Sequence, residues 1–151
     1  RDSSREDGDL VSTGLAPAPP RIASMLGVSD GAELLCRRLL VRREGDPSEI
    51  VTWWFPPQLA QGTGVDGPDL LRGGVRSLLA RVKGVRVDHV VETVTARRPA
   101  PHEAKLLGMA KSVPVLGLYV TARDASGDPL FALDVALPGD THELEDAYPV
   151  G

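Results

Sequence analysis

The sequence reads "PAPPRIASMLG" at Pro17–Gly27 and, in altered form, "PAPHEAKLLG" at Pro99–Gly108. Each copy leads through an apolar segment into the tripeptide Gly-Asp-Pro, at 45–47 and again at 127–129. The offset is 82 residues for Pro17/Pro99 and for Pro47/Pro129 but 81 for Gly27/Gly108, so one residue is inserted in the first helical copy. Two copies fall short of the three or more that a solenoid needs, and the repeat reads as pseudo-symmetry within one domain.

The rest of the chain fits around these units. Ile22, Met25 and Leu26 recur at helical spacing, and Gly27 is a natural stop, which predicts a short helix. The segment from Glu33 to Val41 is apolar apart from Arg37 and Arg38. "REGDP" makes a turn, and "SEIVTWWF" has the β-branched and aromatic content of a return strand. From Pro68 onward Leu71, Val75, Leu78, Leu79 and Val82 form an apolar stripe ended by Gly84, with the regular helix starting at or just after Gly73-Gly74. "VRVDHVVETVTARR" alternates as a long strand, the second proline-framed helix follows, and "VPVLGLYVTARDASGDPLFALDVAL" is a second hairpin. The order α, β-hairpin, α, β, α, β-hairpin implies an α+β domain with one largely antiparallel sheet.

Composition narrows the function classes. A chain of 151 residues with 42% hydrophobic residues suits one globular domain with a sizeable core. A formal charge of −4 offers no basic field for nucleic acid phosphates. The lone Cys36 cannot form an internal disulfide and no apolar run approaches the roughly 20 residues of a membrane span, so the expected compartment is the cytoplasm. The polar stretch at 1–9 reads as a disordered linker or the remnant of a link to something longer, and 10–151 as the folded domain.

Catalytic signals are weak. His89, His102 and His142 lie far apart, with no pair at a zinc-ligand spacing, and "RGGVRS" lacks a nucleophile elbow. "DASGDPLFALDV" opens like a calcium loop at Asp124, Ser126 and Asp128, yet Val135 stands where the closing glutamate belongs, so it reads as a turn. Neither metal nor cofactor is expected. Polar residues inside apolar strands carry more weight. Of Arg37 and Arg38, side-chain alternation sends one toward a covered face, where it either makes a structural ion pair or clamps a ligand carboxylate or phosphate. Asp134, framed by Leu133 and Val135, poses the same choice with opposite charge. Of Trp53 and Trp54, one fills core while the other is free to wall a pocket.

Taken in order, "SMLGVSDGAELLCRRLLVRREGDPSEIVTWWFPPQLAQGT", "GGVRSLLARVKG", "TARRPAPHEAKLLGM", "VPVLGLYVTARDASGDP" and "HELEDAYPV" resemble the UTRA domain of GntR-superfamily regulators of the HutC type, over roughly Leu10 to Val150. The resemblance implies a chorismate lyase-like fold with a central antiparallel sheet and internal pseudo-twofold symmetry, and no catalytic activity. It further implies a domain that binds a small-molecule effector and homodimerises, while operator DNA is held by a winged helix-turn-helix domain absent from this chain. The repeated unit is then half of such a domain.

Residue by residue, the resemblance offers Arg37 and Arg38 as an anion clamp and the Gly73-Gly74 loop as backbone donors at a helix start. Trp53 narrows the cavity or stacks on the ligand, and Asp134 meets a ligand hydroxyl or amine. Val51 stands where sugar-phosphate sensors of the family carry glutamate, Gly74 where they carry serine, and Phe131 and Leu137 where they carry glutamate and tyrosine. The expected pocket is therefore more apolar than a phosphosugar site. The alternative is a stand-alone enzyme similar to chorismate lyase, which would need an acid beside the arginine, and Glu92 is the strand candidate.

Overall fold

The structure is a computed structural model that describes residues 8–151. Of the polar stretch expected to be a linker, residues 1–7 lie outside the described residues, and Asp9 opens the first strand. The elements in chain order are β1 (Asp9–Pro17), α1 (Pro20–Leu26), β2 (Glu33–Arg43), β3 (Asp46–Phe55), α2 (Pro57–Ala60), α3 (Val75–Lys83), β4 (His89–Arg97), α4 (Pro101–Leu107), β5 (Val115–Arg123) and β6 (Pro129–Pro138). All six strands form one sheet in the order β1-β2-β3-β6-β5-β4, and each neighbouring pair is antiparallel.

That order is a palindrome of the repeat. β1-α1-β2-β3 and β4-α4-β5-β6 are the two copies, joined where β3 pairs with β6 from Ile50↔Ala136 to Trp54↔Ala132. The sequence pattern locates the second copy's first strand but not β1, because "DLVSTGLAP" contains a glycine and a proline and has no clean alternation. β1 pairs with β2 on both sides of a register shift between Leu10 and Ser12. The four-residue α2 is likewise invisible to periodicity.

Strand alternation divides the core between two faces. On one, α1 lies against β6 and α4 against β3, each helix leaning on the other copy's hairpin. Ile22, Ala23 and Leu26 of α1 pack on Leu34, Cys36, Trp54 and Ala132, and Leu107 of α4 packs on Leu40, Ile50, Val115 and Ala136. On the opposite face, α3 buries Val75, Leu78 and Leu79 against Leu35, Phe55 and Phe131.

Both repeated helices begin with proline and end in a left-handed glycine, Gly27 at φ 67° and Gly108 at φ 62°. A Cβ at either glycine meets nothing within 4 Å, so alanine is opposed by the backbone angle alone. We expect Gly27→Ala and Gly108→Ala each to destabilise by about 1 kcal/mol, which thermal unfolding should report as a Tm lower by about 2–4 °C.

Candidate functional site

The sheet separates the residues expected to form one pocket. Arg37 pairs with Trp53, which pairs with Leu133, so all three point to the face covered by α3. Arg38, Thr52 and Asp134 occupy the next row and point to the face covered by α1 and α4.

Arg37 is fully buried. Its Nη1 donates to the carbonyls of Val65 and Gly67, both at 2.9 Å, and its Nη2 to the carbonyl of Asp69 at 2.7 Å. One cation thus pins the connection between α2 and α3 across the sheet. The Thr13 hydroxyl adds a bond from β1 to the same Val65 carbonyl at 3.1 Å. Val65 is itself buried in the aromatic core beneath, and Leu71 packs at its margin. Gly73, at φ 76°, and Gly74, the N-cap of α3, end this connection on the same face. Trp53 is half-buried and stacks parallel to Phe55 at 6.0 Å between centroids, with Phe131 tilted against both. A cavity of about 560 Å³ opens beside this cluster, lined in part by Gly14 and Leu15 of β1, Leu35 of β2, Gln58 and Ala60 of α2, and Asp66. None of the six expected site residues lines it.

Arg38 is half-buried, and its Nε donates to Thr52 Oγ1 at 3.1 Å. Trp54, paired with Ala132, donates its Nε1–H to Asp134 Oδ2 at 3.1 Å. Burial pushes the Asp134 carboxyl up, against the lowering effects of the Trp54 hydrogen bond and the Arg38 charge. Burial also raises the Cys36 thiol, and Arg38 acts in the opposite direction. Glu92, the acid considered for catalysis, pairs with Val120 on the edge strand and stands four strands from Arg37, about 19 Å at ordinary strand spacing. It does not accompany either arginine.

A charged pair that the sequence analysis missed lies next to this row. Arg97 of β4 holds Glu103 of α4 through two bonds, 2.6 and 2.8 Å long, and Glu103 Oε1 also accepts the Ala100 backbone N–H at 2.8 Å. Glu103 occupies the third position of α4, and a glutamate three residues after a helix start was the available signal. Burial works to raise its carboxyl, but the Arg97 and Ala100 hydrogen bonds outweigh burial and hold it below the ordinary 4.5. Among the described residues no group of three or more His, Cys, Asp and Glu side chains is placed to hold a metal ion. Among the described residues no helix is long and apolar enough to cross a membrane.

Two stability outcomes follow from this geometry. Arg37→Met should cost about 3 kcal/mol or more, because the buried Val65 carbonyl and the part-buried carbonyls of Gly67 and Asp69 lose their donor, and urea unfolding measures it. Glu103→Gln should cost about 3 kcal/mol, since Arg97 is partly exposed and the pair sits at the low end for buried ions. A depressed carboxyl contributes stability above its unfolded value that is lost as pH falls through the folded one. The wild type should therefore lose stability below pH 4.5 through this pair, and Glu103→Gln should flatten that acid limb in unfolding curves taken across pH.

The fold and both faces can now be set beside known proteins. An uncharacterized HTH-type transcriptional regulator of Streptomyces coelicolor is 32% identical over 123 residues, covering 78% of this chain, which spans 45% of that relative's length. The effector domain of PhnF from Mycobacterium smegmatis superposes with a TM-score of 0.76 at 21% identity, covering 94% of this chain and 86% of that one. A GntR-family transcriptional regulator from Bacillus cereus gives 0.79 at 19% identity, covering 97% and 100%. These two solved structures share the six-stranded chorismate lyase-like architecture. The family described as the UTRA domain matches residues 7–143, nearly the whole chain, and this chain belongs to it.

Proposed function

We propose that this chain is the effector-sensing and dimerisation domain of a GntR/HutC-type transcriptional regulator, and that its effector binds on the Trp53 face beneath the connection between α2 and α3. The observation that carries this reading is the connection itself. It is fastened to β2 by Arg37 and to β1 by Thr13, and it borders a cavity in the range that small molecules occupy. The Trp53, Phe55 and Phe131 rings lie beside that cavity without lining it, and a ligand reaching from it toward Trp53 would meet an apolar surface, with the Gly73-Gly74 start of α3 on the same face to offer backbone donors to an anionic group. An effector that is mostly apolar with one carboxylate or other anion fits these surroundings.

Transduction follows from the same contacts. Thr13 lies on β1, and a ligand that shifts the Val65 carbonyl also moves β1. In the HutC-type arrangement the DNA-binding domain precedes that strand, so the spacing of two heads in a dimer responds to the ligand. We place the dimer contact at the β4 edge, where Val90 and Val94 on one face and Val91 on the other are 54%, 50% and 47% exposed.

Four measurements test the reading. Native mass spectrometry of the purified chain should show a dimer and a co-purified small molecule. Trp53→Ala should weaken that molecule's binding by about tenfold or more through lost stacking area, and unchanged affinity would remove the Trp53 face from consideration. Light scattering at micromolar concentration should report a dimer for the wild type and a monomer for the double variant Val90→Lys, Val94→Glu. Residues 1–151 alone should show no salt-sensitive affinity for duplex DNA, as their net charge of −4 implies, and submicromolar operator binding would overturn the domain's role.

A further inference from the structure

The row that Arg38 occupies crosses the whole sheet. Ser12 pairs with Arg38, Arg38 with Thr52, Thr52 with Asp134, Asp134 with Tyr119 and Tyr119 with Thr93, one residue from each strand and every one polar or carrying a polar tip. A sheet face covered by helices has no reason to keep such a row for packing alone, since the rows on either side are the apolar cores under α1 and α4. The row runs between those two cores, along the seam between the helices.

The seam lies on the pseudo-twofold axis. The repeat exchanges Ser12 with Thr93, Arg38 with Tyr119 and Thr52 with Asp134, and it exchanges Arg21 with His102 at the second position of α1 and α4. Arg21 reaches into the other copy, its guanidinium 4.2 Å above the Tyr119 ring. His102 lies within electrostatic reach of Arg38, and burial and then that charge lower its pKa. The backbone frame is symmetric but the chemistry is not: a cation stands on one side of the axis, a carboxylate just across it.

Arg38 and Asp134 act on each other electrostatically, yet they form no ion pair among the described residues. Arg38 is turned to Thr52 and Asp134 to the indole of Trp54. One Asp134 oxygen is committed to Trp54, and the carboxylate has acceptor sites to spare. Two opposite charges that share a half-buried seam without pairing are both available to a molecule that carries both charges.

We propose that the seam between α1 and α4 is a second ligand site, on the opposite side of the sheet from the Trp53 face, taking a small amino-acid-like zwitterion whose carboxylate meets Arg38 and whose ammonium meets Asp134. Tyr119 and Trp54 form its walls, and a molecule bound there touches both copies of the repeat at once. It therefore resists any motion of one copy against the other. This reading stands independently of where the effector binds.

The chain has two tryptophans, so Trp53→Phe leaves Trp54 as the sole indole and removes the ring placed at the effector site. Its emission should change saturably on titration with individual free α-amino acids up to about 10 mM, a range that detects millimolar affinity. In the same background Arg38→Met and Asp134→Asn should each weaken binding by about 30-fold, the loss expected when one partner of a charge contact is removed. Near-ultraviolet circular dichroism confirms that both variants are folded. If either is not, the Trp54 indole N–H resonance of the wild-type chain gives the same titration without substitution. No saturable change with any amino acid, an affinity in either variant unchanged from that of the Trp53→Phe chain, or an equal response to acetate and to methylammonium separately would each overturn the proposal. A ligand that binds at the Trp53 face and leaves Trp54 silent would support the effector reading while refuting this one.

Discussion

The pairing of β3 with β6 is the contact on which the rest of the molecule depends. Each copy of the repeat is a strand, a helix and a hairpin, and a lone copy would leave the outer edge of its return strand unpaired and one face of its hairpin bare. Joining the two return strands satisfies both edges at once and creates a six-stranded sheet from two three-stranded pieces. Because α1 leans on β6 and α4 on β3, the helices cross the junction and fasten it from above. Among the described residues β1 and β4 remain as the free edges, and β4, with valines exposed on both of its faces, is the more exposed of the two.

From that junction the sheet acquires two faces with different physics. On the α3 face the interior is aromatic and aliphatic, and a buried cation, Arg37, finds partners in backbone carbonyls of the connection above it. A guanidinium used this way fixes irregular backbone that has no ladder of its own, which is the role a buried arginine fills well, with five donors in a rigid fork. On the α1 and α4 face the packing is divided into two apolar cores with a polar row between them, and the charges there are bound to neighbours of opposite or neutral character without closing on one another. The Arg97–Glu103 pair, which locks α4 to the edge strand, is the exception.

The repeat, the two hairpins, α3 starting after Gly73-Gly74 and the family resemblance were all readable from the chain, since each rests on local spacing, turn residues or apolar period. The β1 strand was not, because Gly14, Pro17 and the register shift after Leu10 give it no period of its own; it becomes a strand only by borrowing the edge of β2. Glu103 looked like an ordinary helix-start residue, and its ion pair with Arg97 needs α4 folded back onto β4.

The candidate site shows the division most clearly. The sequence by itself determined that adjacent Arg37 and Arg38 must point to opposite faces, because strand side chains alternate with a period of two whatever the fold. It determined the same for Trp53 and Trp54. What it left open was which face each would meet and what would lie there, since that depends on the connection between α2 and α3 closing over one face and on α1 and α4 closing over the other. Only the tertiary structure decided that Arg37 and Trp53 share the α3 side with Gly73 and Gly74 while Arg38 and Asp134 share the side covered by α1 and α4. The reason is physical: alternation is a property of each strand, but the partner of a buried charge is set by which distant segment the assembled sheet brings over it.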